Sequence, residues 1–164
     1  MIEIQVLTPD DWKAWRALRL AALAEAPYAF GSTLAQWQGE GDREERWRDR
    51  LASPGSYNLI ASIDGEPVGM GSGAPSEDEG TVELLSMWVA PAGRGKGVGD
   101  RLIEEIESWA LAQGASRFAL AVTDGNRAAT GLYLRHGFRD IGVPGDLMSD
   151  GVRHEVLMDK KLPG

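Results

Sequence analysis

Hydrophobic and polar residues alternate from the second position of the chain. Ile2, Ile4 and Val6 stand against Glu3 and Gln5, the period of a half-buried strand over 2–7. The period changes at Thr8-Pro9-Asp10-Asp11, where Thr8 as N-cap, Pro9 at the first helical position and Asp11 at capping-box spacing predict a helix. Trp12, Trp15, Leu18 and Leu23 carry that helix to about Glu25, and Pro27 ends it and opens the loop PYAFGST. A second, highly charged helix is expected over roughly 42–52, with Trp47 and Leu51 inward, until Ser53-Pro54-Gly55 stops it.

Strands are expected at Tyr57–Ile63 and Val68–Ala74, joined at Asp64-Gly65, a strong hairpin signal. The acidic segment Pro75–Gly80 reads as a loop, and the apolar run Thr81–Val89 as a central strand closed by Pro91. From Val98 the spacing of Leu102, Ile106, Trp109 and Ala110 is that of an amphipathic helix ending near Gly114. Arg117–Thr123, apolar on both faces, reads as another strand. Asn126 caps a helix through His136 that stops at Gly137, and Phe138–Val143 and Val152–Leu162 complete an antiparallel pair. No repeat or interdomain linker interrupts the pattern, so residues 1–164 are read as one domain, large enough to bury a core without staples.

Composition narrows the chemistry. Cysteine is absent, which excludes disulfides, thiolate metal sites and a cysteine nucleophile and fits a reducing cytoplasm. No apolar run approaches the ~18 residues of a membrane span, and the first residues, MIEIQVLTPDDW, lack the pattern of a secretory signal. The net charge of −8 argues against nucleic acid as a partner. It favours cationic ligands, although solubility alone accounts for most of these carboxylates. His136 and His154 have no partner at metal-ligand spacing, so no metal is expected and each is read as a packing or surface residue.

The run RGKGVGDRLIEEI, residues 94–106, sets Gly95, Gly97 and Gly99 directly before a helical pattern. Glycine loses the most freedom on folding, so such a cluster at a helix start points to a tight turn, an anion held on N–H groups, or both. A P-loop is absent, because Gly97 follows Gly95-Lys96 and Ala90 stands five residues before Gly95. A dinucleotide fingerprint also fails, since its third glycine would fall on Asp100 or Val98. Gly71-Ser72-Gly73 is no nucleophile elbow, with Met70 and Ala74 where glycines belong.

What remains is strand, short loop, R-x-x-G-x-G, helix, and here the chain resembles the GNAT superfamily of N-acetyltransferases. Their signature, Gln/Arg-x-x-Gly-x-Gly/Ala, is matched by Arg94, Gly97 and Gly99. The likeness covers the order of elements along the chain. It is sharpest over 82–138, where Asn126 and Tyr133 lie seven apart and Gly137-Phe138 closes the helix. It implies an α/β domain with a mixed, mostly antiparallel sheet of about seven strands, flanked by helices and splayed between the fourth and fifth strands. It also implies acetyl transfer from acetyl-coenzyme A to a primary amine by direct attack in a ternary complex, without a metal. The acceptor is left open between a small molecule and a peptide or protein amine, and the protein between monomer and homodimer. Transfer of another acyl group, or a non-catalytic coenzyme A-binding module, are the other readings.

By resemblance, the backbone N–H groups of Gly95, Lys96, Gly97, Val98, Gly99 and Asp100 hold a pyrophosphate, in agreement with the helix N-terminus argument. Arg94, Lys96 and Arg101 concentrate positive charge there, as phosphate partners or as a solvated loop. The backbone of Met87, Trp88 and Val89 would pair with the pantetheine arm, a bulge would splay this strand from the next, and the Val89 N–H would polarise the thioester carbonyl. An ordinary core strand explains the same side chains. Asn126 and Tyr133 share one helix face. Asn126 is a helix cap and, by resemblance, a contact to coenzyme A. Tyr133 is a core aromatic or, by resemblance, the donor that protonates the departing thiolate.

One branch of the family places a glutamate five residues before the asparagine, where this chain has Ala121. Another places it six before the end of the preceding strand, which selects Glu83 as base; a strand-end salt bridge is the plainer reading. Simple alternation would put Glu83, Leu85, Met87 and Val89 on one face. Acceptor contacts are expected from 27–37, the acidic loop 75–80 and the segment 143–152. Glu77, Asp78 and Glu79 beside that strand would steer a cationic amine toward Glu83.

Overall fold

The alternation at the N-terminus becomes strand β1 (Ile2–Val6) in a computed structural model that describes residues 1–26, 34–148 and 150–163. The capping box forms as expected: the Asp11 carboxylate accepts the Thr8 N–H at 2.7 Å. A single 3₁₀ turn then leads into α1 (Trp12–Glu25). The loop expected over 27–33 lies outside the described residues. Helix α2 (Glu44–Leu51) packs against α1, the two held by Arg16, which donates Nε to Asp42 at 2.7 Å, while the Trp47 indole N–H donates to the same carboxylate at 2.8 Å.

Strands β2 (Tyr57–Ile63) and β3 (Glu66–Pro75) form the hairpin about Asp64-Gly65, both in the left-handed region. Then follow β4 (Thr81–Val89), α3 (Val98–Ala112), β5 (Arg117–Val122), α4 (Arg127–Arg135), β6 (Arg139–Leu147) and β7 (His154–Lys161). Strand β6 runs further than its predicted end. Pro144 does not stop it because β6 is an edge strand. Strand β7 begins later than Val152, whose N–H is taken, like that of Arg153, by the Asp150 carboxylate at 2.9 Å.

Among the described residues the sheet has seven strands in the order β1-β2-β3-β4-β5-β7-β6, antiparallel throughout except between β4 and β5. One core lies between the sheet and α3, built on Leu59, Leu84, Leu102, Ile106, Phe118 and Met158. The other lies beneath α1 and α2, built on Trp15, Trp47, Ile60 and Met70. Close packing of α3 depends on Gly73, where a Cβ would stand 2.6 Å from Trp109 Cζ3.

Strands β4 and β5 pair over three positions only, Thr81 with Arg117, Val82 with Phe118 and Glu83 with Ala119. Beyond Glu83 they part, the fork that the family resemblance led us to expect. The cause is local. Ser72 pairs with Leu85 and Met70 with Trp88, so β4 spends two residues, Ser86 and Met87, where β3 spends one. Ser86 takes φ +54°, a left-handed conformation rare for a non-glycine residue. Such a bulge bends its strand and increases its twist, which carries the end of β4 away from β5.

The bulge also overturns the simple alternation. Val82, Leu84, Met87 and Val89 face the α3 core, Trp88 faces the α1 side, and Glu83 and Leu85 are separated from Met87 and Val89. The extra residue at Ser86 reverses the phase. We expect Ser86→Val, which resists a positive φ, to cost about 1–3 kcal/mol in denaturant unfolding, and Ser86→Gly to remain within ~1 kcal/mol of the parent. Equal losses in the two variants would show that the left-handed turn does not matter.

Candidate functional site

At the end of β4 the chain makes one turn and enters α3 through the glycine run. Gly95 and Gly97 have φ of +73° and +80°, which excludes most side chains without strain. Gly99 serves another purpose: a Cβ there would meet Leu132 Cδ2 of α4 at 3.0 Å. The Arg94 N–H bonds the Pro91 carbonyl, and the next backbone N–H with an internal acceptor is that of Arg101, to Gly97 at 3.0 Å. Six successive N–H groups, 95–100, therefore have no internal acceptor among the described residues, at the positive end of a 15-residue helix. No described atom lies within 4 Å of the Cβ positions of Gly95 and Gly97, so this cradle opens outward. It suits an oxyanion.

The cations around it are placed differently from the simple expectation. Arg94 donates Nη2 to Glu25 at 2.8 Å and Nε to the Val89 carbonyl at 3.1 Å. Arg101 pairs with Glu105 one turn on. Lys96 is exposed and makes no ion pair among the described residues. The Asp100 side chain turns to α4, accepting from His136 at 2.7 Å and Arg135 at 3.0 Å, and these donors, His136 first, hold its pKa below the usual carboxylate range. Asp100 thus has only its N–H to offer an anion.

Beside the cradle the fork forms a cleft of about 780 Å³. Strand β4 supplies one wall from Glu83 to Val89; β5 and α4 supply another, with Ala121, Val122, Asn126, Leu132 and Tyr133. The Ala90 N–H bonds the Val68 carbonyl at 2.7 Å, so strand alternation turns the Val89 N–H the other way, into the fork. Asn126 is the helix cap, its Oδ1 accepting the Ala129 N–H at 3.3 Å.

Tyr133 is held by the helix end the sequence indicated. Gly137, at φ +91°, lets the Phe138 N–H reach back to the Tyr133 carbonyl at 3.1 Å, and the Phe138 ring packs edge-on against Tyr133. Only 6% of Tyr133 is exposed, and burial raises its phenol well above its ordinary pKa, so it is a proton donor at neutral pH. Glu83 lines the cleft where β4 and β5 part, half-buried and without a salt bridge among the described residues. Ala121 presents a methyl group to the same cleft.

Four charged residues of this cleft were not foreseen. Arg19 and Glu25 line it from α1, Arg50 from α2 and Glu155 from β7. The arginines had left a trace in the sequence: Arg19 falls on the stripe Trp15-Arg19-Leu23, and Arg50 beside Trp47 and Leu51, both at core-facing positions. The acidic loop 75–80 contributes nothing to the lining, because it sits at the paired base of the fork. Of the other acceptor segments, Trp37 and Asp146 reach the cleft, and 27–33 falls outside the described residues. His136 and His154 are engaged in hydrogen bonds, and no group of three metal-binding side chains occurs among the described residues.

The model of the acetyltransferase (GNAT) family matches residues 15–138. An IAA acetyltransferase of Azospirillum brasilense is 35% identical over 112 residues, covering 68% of this chain and 72% of its own. Several other curated relatives are longer, and the matches span 30–40% of their length. A GNAT-family acetyltransferase from Streptococcus pneumoniae has the same fold, with TM-score 0.81 at 22% identity over 99% of this chain and 100% of its own. The PaiA N-acetyltransferase of Thermoplasma acidophilum, solved in complex with coenzyme A, reaches TM-score 0.77 at 20% identity over 99% of both chains.

Burial and the nearby Asp146 raise the pKa of Glu155 in the folded protein. A carboxyl raised on folding adds stability while protonated and loses it as pH climbs through the folded value. Glu155→Gln should therefore raise the melting temperature at neutral pH, with the gain vanishing below about pH 4, where unfolded glutamate is protonated. A gain independent of pH would show that the charge is not at issue.

Proposed function

The chain belongs to the acetyltransferase (GNAT) family, and we propose that residues 1–164 transfer an acetyl group from acetyl-coenzyme A to a primary amine within a ternary complex. The observation that carries this reading is the junction of two features: the six-amide cradle at 95–100 and the β4–β5 fork beside it. A diphosphate fits the cradle, and an extended arm can lie along Met87, Trp88 and Val89, where β4 has no strand partner on its β5 side among the described residues. Asn126 at the head of α4 bounds the same groove. Arg94, bonded to the Val89 carbonyl and Glu25, fixes the strand end against the cradle, and Lys96 stands exposed beside it.

In the reaction the amine nitrogen bonds to the thioester carbonyl carbon and the C–S bond breaks. The Val89 N–H faces the position where negative charge grows on the carbonyl oxygen. The departing sulfur takes the Tyr133 proton, which a buried phenol retains at neutral pH, and the second proton that the nitrogen sheds as the amide forms returns through water to the phenolate. An incoming ammonium gives up its proton to Glu83, directly or through water. Ala121 leaves Glu83 as the candidate base carried by β4. We place the protein in the cytoplasm as a monomer or homodimer, in keeping with its lack of cysteine; no helix of the described residues is long and apolar enough to cross a membrane.

Two variants test the reading together. Gly97→Glu puts a carboxylate in the cradle at a left-handed position, and calorimetry should find acetyl-coenzyme A binding lost. Tyr133→Phe should retain that binding while turnover, followed by free thiol release, falls roughly 10²–10⁴-fold. Unchanged affinity in the first variant removes the diphosphate assignment, and wild-type turnover in the second removes Tyr133 as the acid.

A further inference from the structure

The β4 bulge is tied to helix α2. Arg50 donates Nη1 to Asn58 Oδ1 at 2.9 Å, and Nη2 to Ser72 Oγ at 3.2 Å and Ser86 Oγ at 3.4 Å. These acceptors lie on three adjacent strands, β2, β3 and β4, and all are neutral. Arg50 makes no ion pair among the described residues, and its guanidinium sits over the Trp15 ring, 5.1 Å from the centroid. The side chain is half-buried, and burial lowers its pKa. Neutral hydrogen bonds offset only part of the cost of taking a cation out of water, a cost that an apolar side chain of similar size would not carry. Stability alone does not account for an arginine here.

Two of its three partners do not depend on it. Ser72 Oγ donates to Asn58 Oδ1 at 2.7 Å, and Asn58 Nδ2 donates to Ser56 Oγ at 3.1 Å, so both side chains keep a hydrogen bond without the guanidinium. Ser86 is different. Its hydroxyl has no other partner among the described residues, and its backbone stands at φ +54°, a conformation that a non-glycine residue keeps only where its surroundings fix it. The contribution of Arg50 that nothing else supplies is therefore made at the bulge.

That contact lies next to the proposed chemistry. Ser86 and Met87 together stand opposite Gly71 of β3, and the strand runs on through Trp88 to Val89, whose N–H is turned into the fork. A change in the Ser86 torsions swings this edge and carries the amide with it. We propose that Arg50 is a positioning residue for acetyl transfer: reaching from α2, it holds the Ser86 bulge and so sets the angle at which β4 presents the Val89 N–H to the thioester. This inference rests on the acetyl-transfer reading and deepens it. In this role Arg50 touches neither reactant and acts through Ser86.

The test uses hydroxylamine as acceptor, a nucleophile too small to need a docking site, and follows thiol release from acetyl-coenzyme A above the uncatalysed rate. Arg50→Met should keep or raise the denaturant midpoint, because it removes a half-buried charge. It should bind acetyl-coenzyme A within a few-fold of the parent in calorimetry, since the cradle at 95–100 is untouched. Its kcat should nevertheless fall on the order of 10-fold or more, as expected when an oxyanion donor is misaligned. Ser86→Ala breaks the same contact without altering α2 and should slow turnover similarly. Because both act at one contact, the double variant should be no slower than the slower single one. Additive losses, a parent-like kcat in Arg50→Met, or a loss that comes wholly through a raised KM for hydroxylamine would overturn the positioning role. A second measurement needs no turnover: the amide resonances of 86–89 should shift in Arg50→Met while those of β1 and β6 stay in place. Unmoved resonances at 86–89 would also overturn it. Shifted resonances in a protein that neither binds acetyl-coenzyme A nor releases thiol would keep Arg50 at the bulge and overturn the transfer reading.

Discussion

Ser86 is held at φ +54° between the hydroxyl-to-guanidinium contact with Arg50 and the register of β3, and the site follows from that arrangement. An even ladder would keep β4 beside β5 along its length. The extra residue bends β4 away after Glu83, so among the described residues Met87, Trp88 and Val89 have backbone polar groups without a strand partner on one side. Unpaired strand edges seek extended partners. Here the edge is inside the molecule, flanked by α4 and ending at the amides of the glycine run, so an extended ligand with an anionic end meets both needs together.

The two halves of the site are then locked from behind. Asp100, on the first turn of α3, takes hydrogen bonds from Arg135 and His136 at the end of α4, which fixes the cradle relative to the helix that carries Tyr133. Phe138 fixes Tyr133 in turn. Lys160 reaches the His136 carbonyl at 2.7 Å and Glu107 of α3, so β7 joins the same assembly.

Elements governed by local rules were legible in the sequence. The capping box at Thr8, the Asp64-Gly65 turn, the amphipathic spacing of α3 and the Gly137 helix end each depend on a few neighbouring residues, and each formed where expected. The glycine run and the Asn126–Tyr133 spacing were visible for the same reason. The phase of β4 was not. Alternation assumes one residue per position, and Ser86 carries no glycine to mark the bulge. The acidic loop was misplaced because adjacency to Glu83 in sequence says nothing about which end of the fork opens. Arg19 and Arg50 were readable as cations on apolar helix faces, yet that they line one cleft depends on how α1 and α2 pack across the sheet.

The central claim is that the unpaired N–H of Val89 and the amides of 95–100 form one continuous ligand-binding backbone. Amide hydrogen exchange with and without acetyl-coenzyme A addresses these groups individually. In the free protein they should exchange quickly, against slow exchange in the paired interior of β2 and β3. On binding, Val89 and the amides of 95–100 should all gain protection, while those of β1 and β6, remote from the cleft, keep their rates. Protection confined to other segments, or none at Val89 and 95–100 under saturating ligand, would contradict the account.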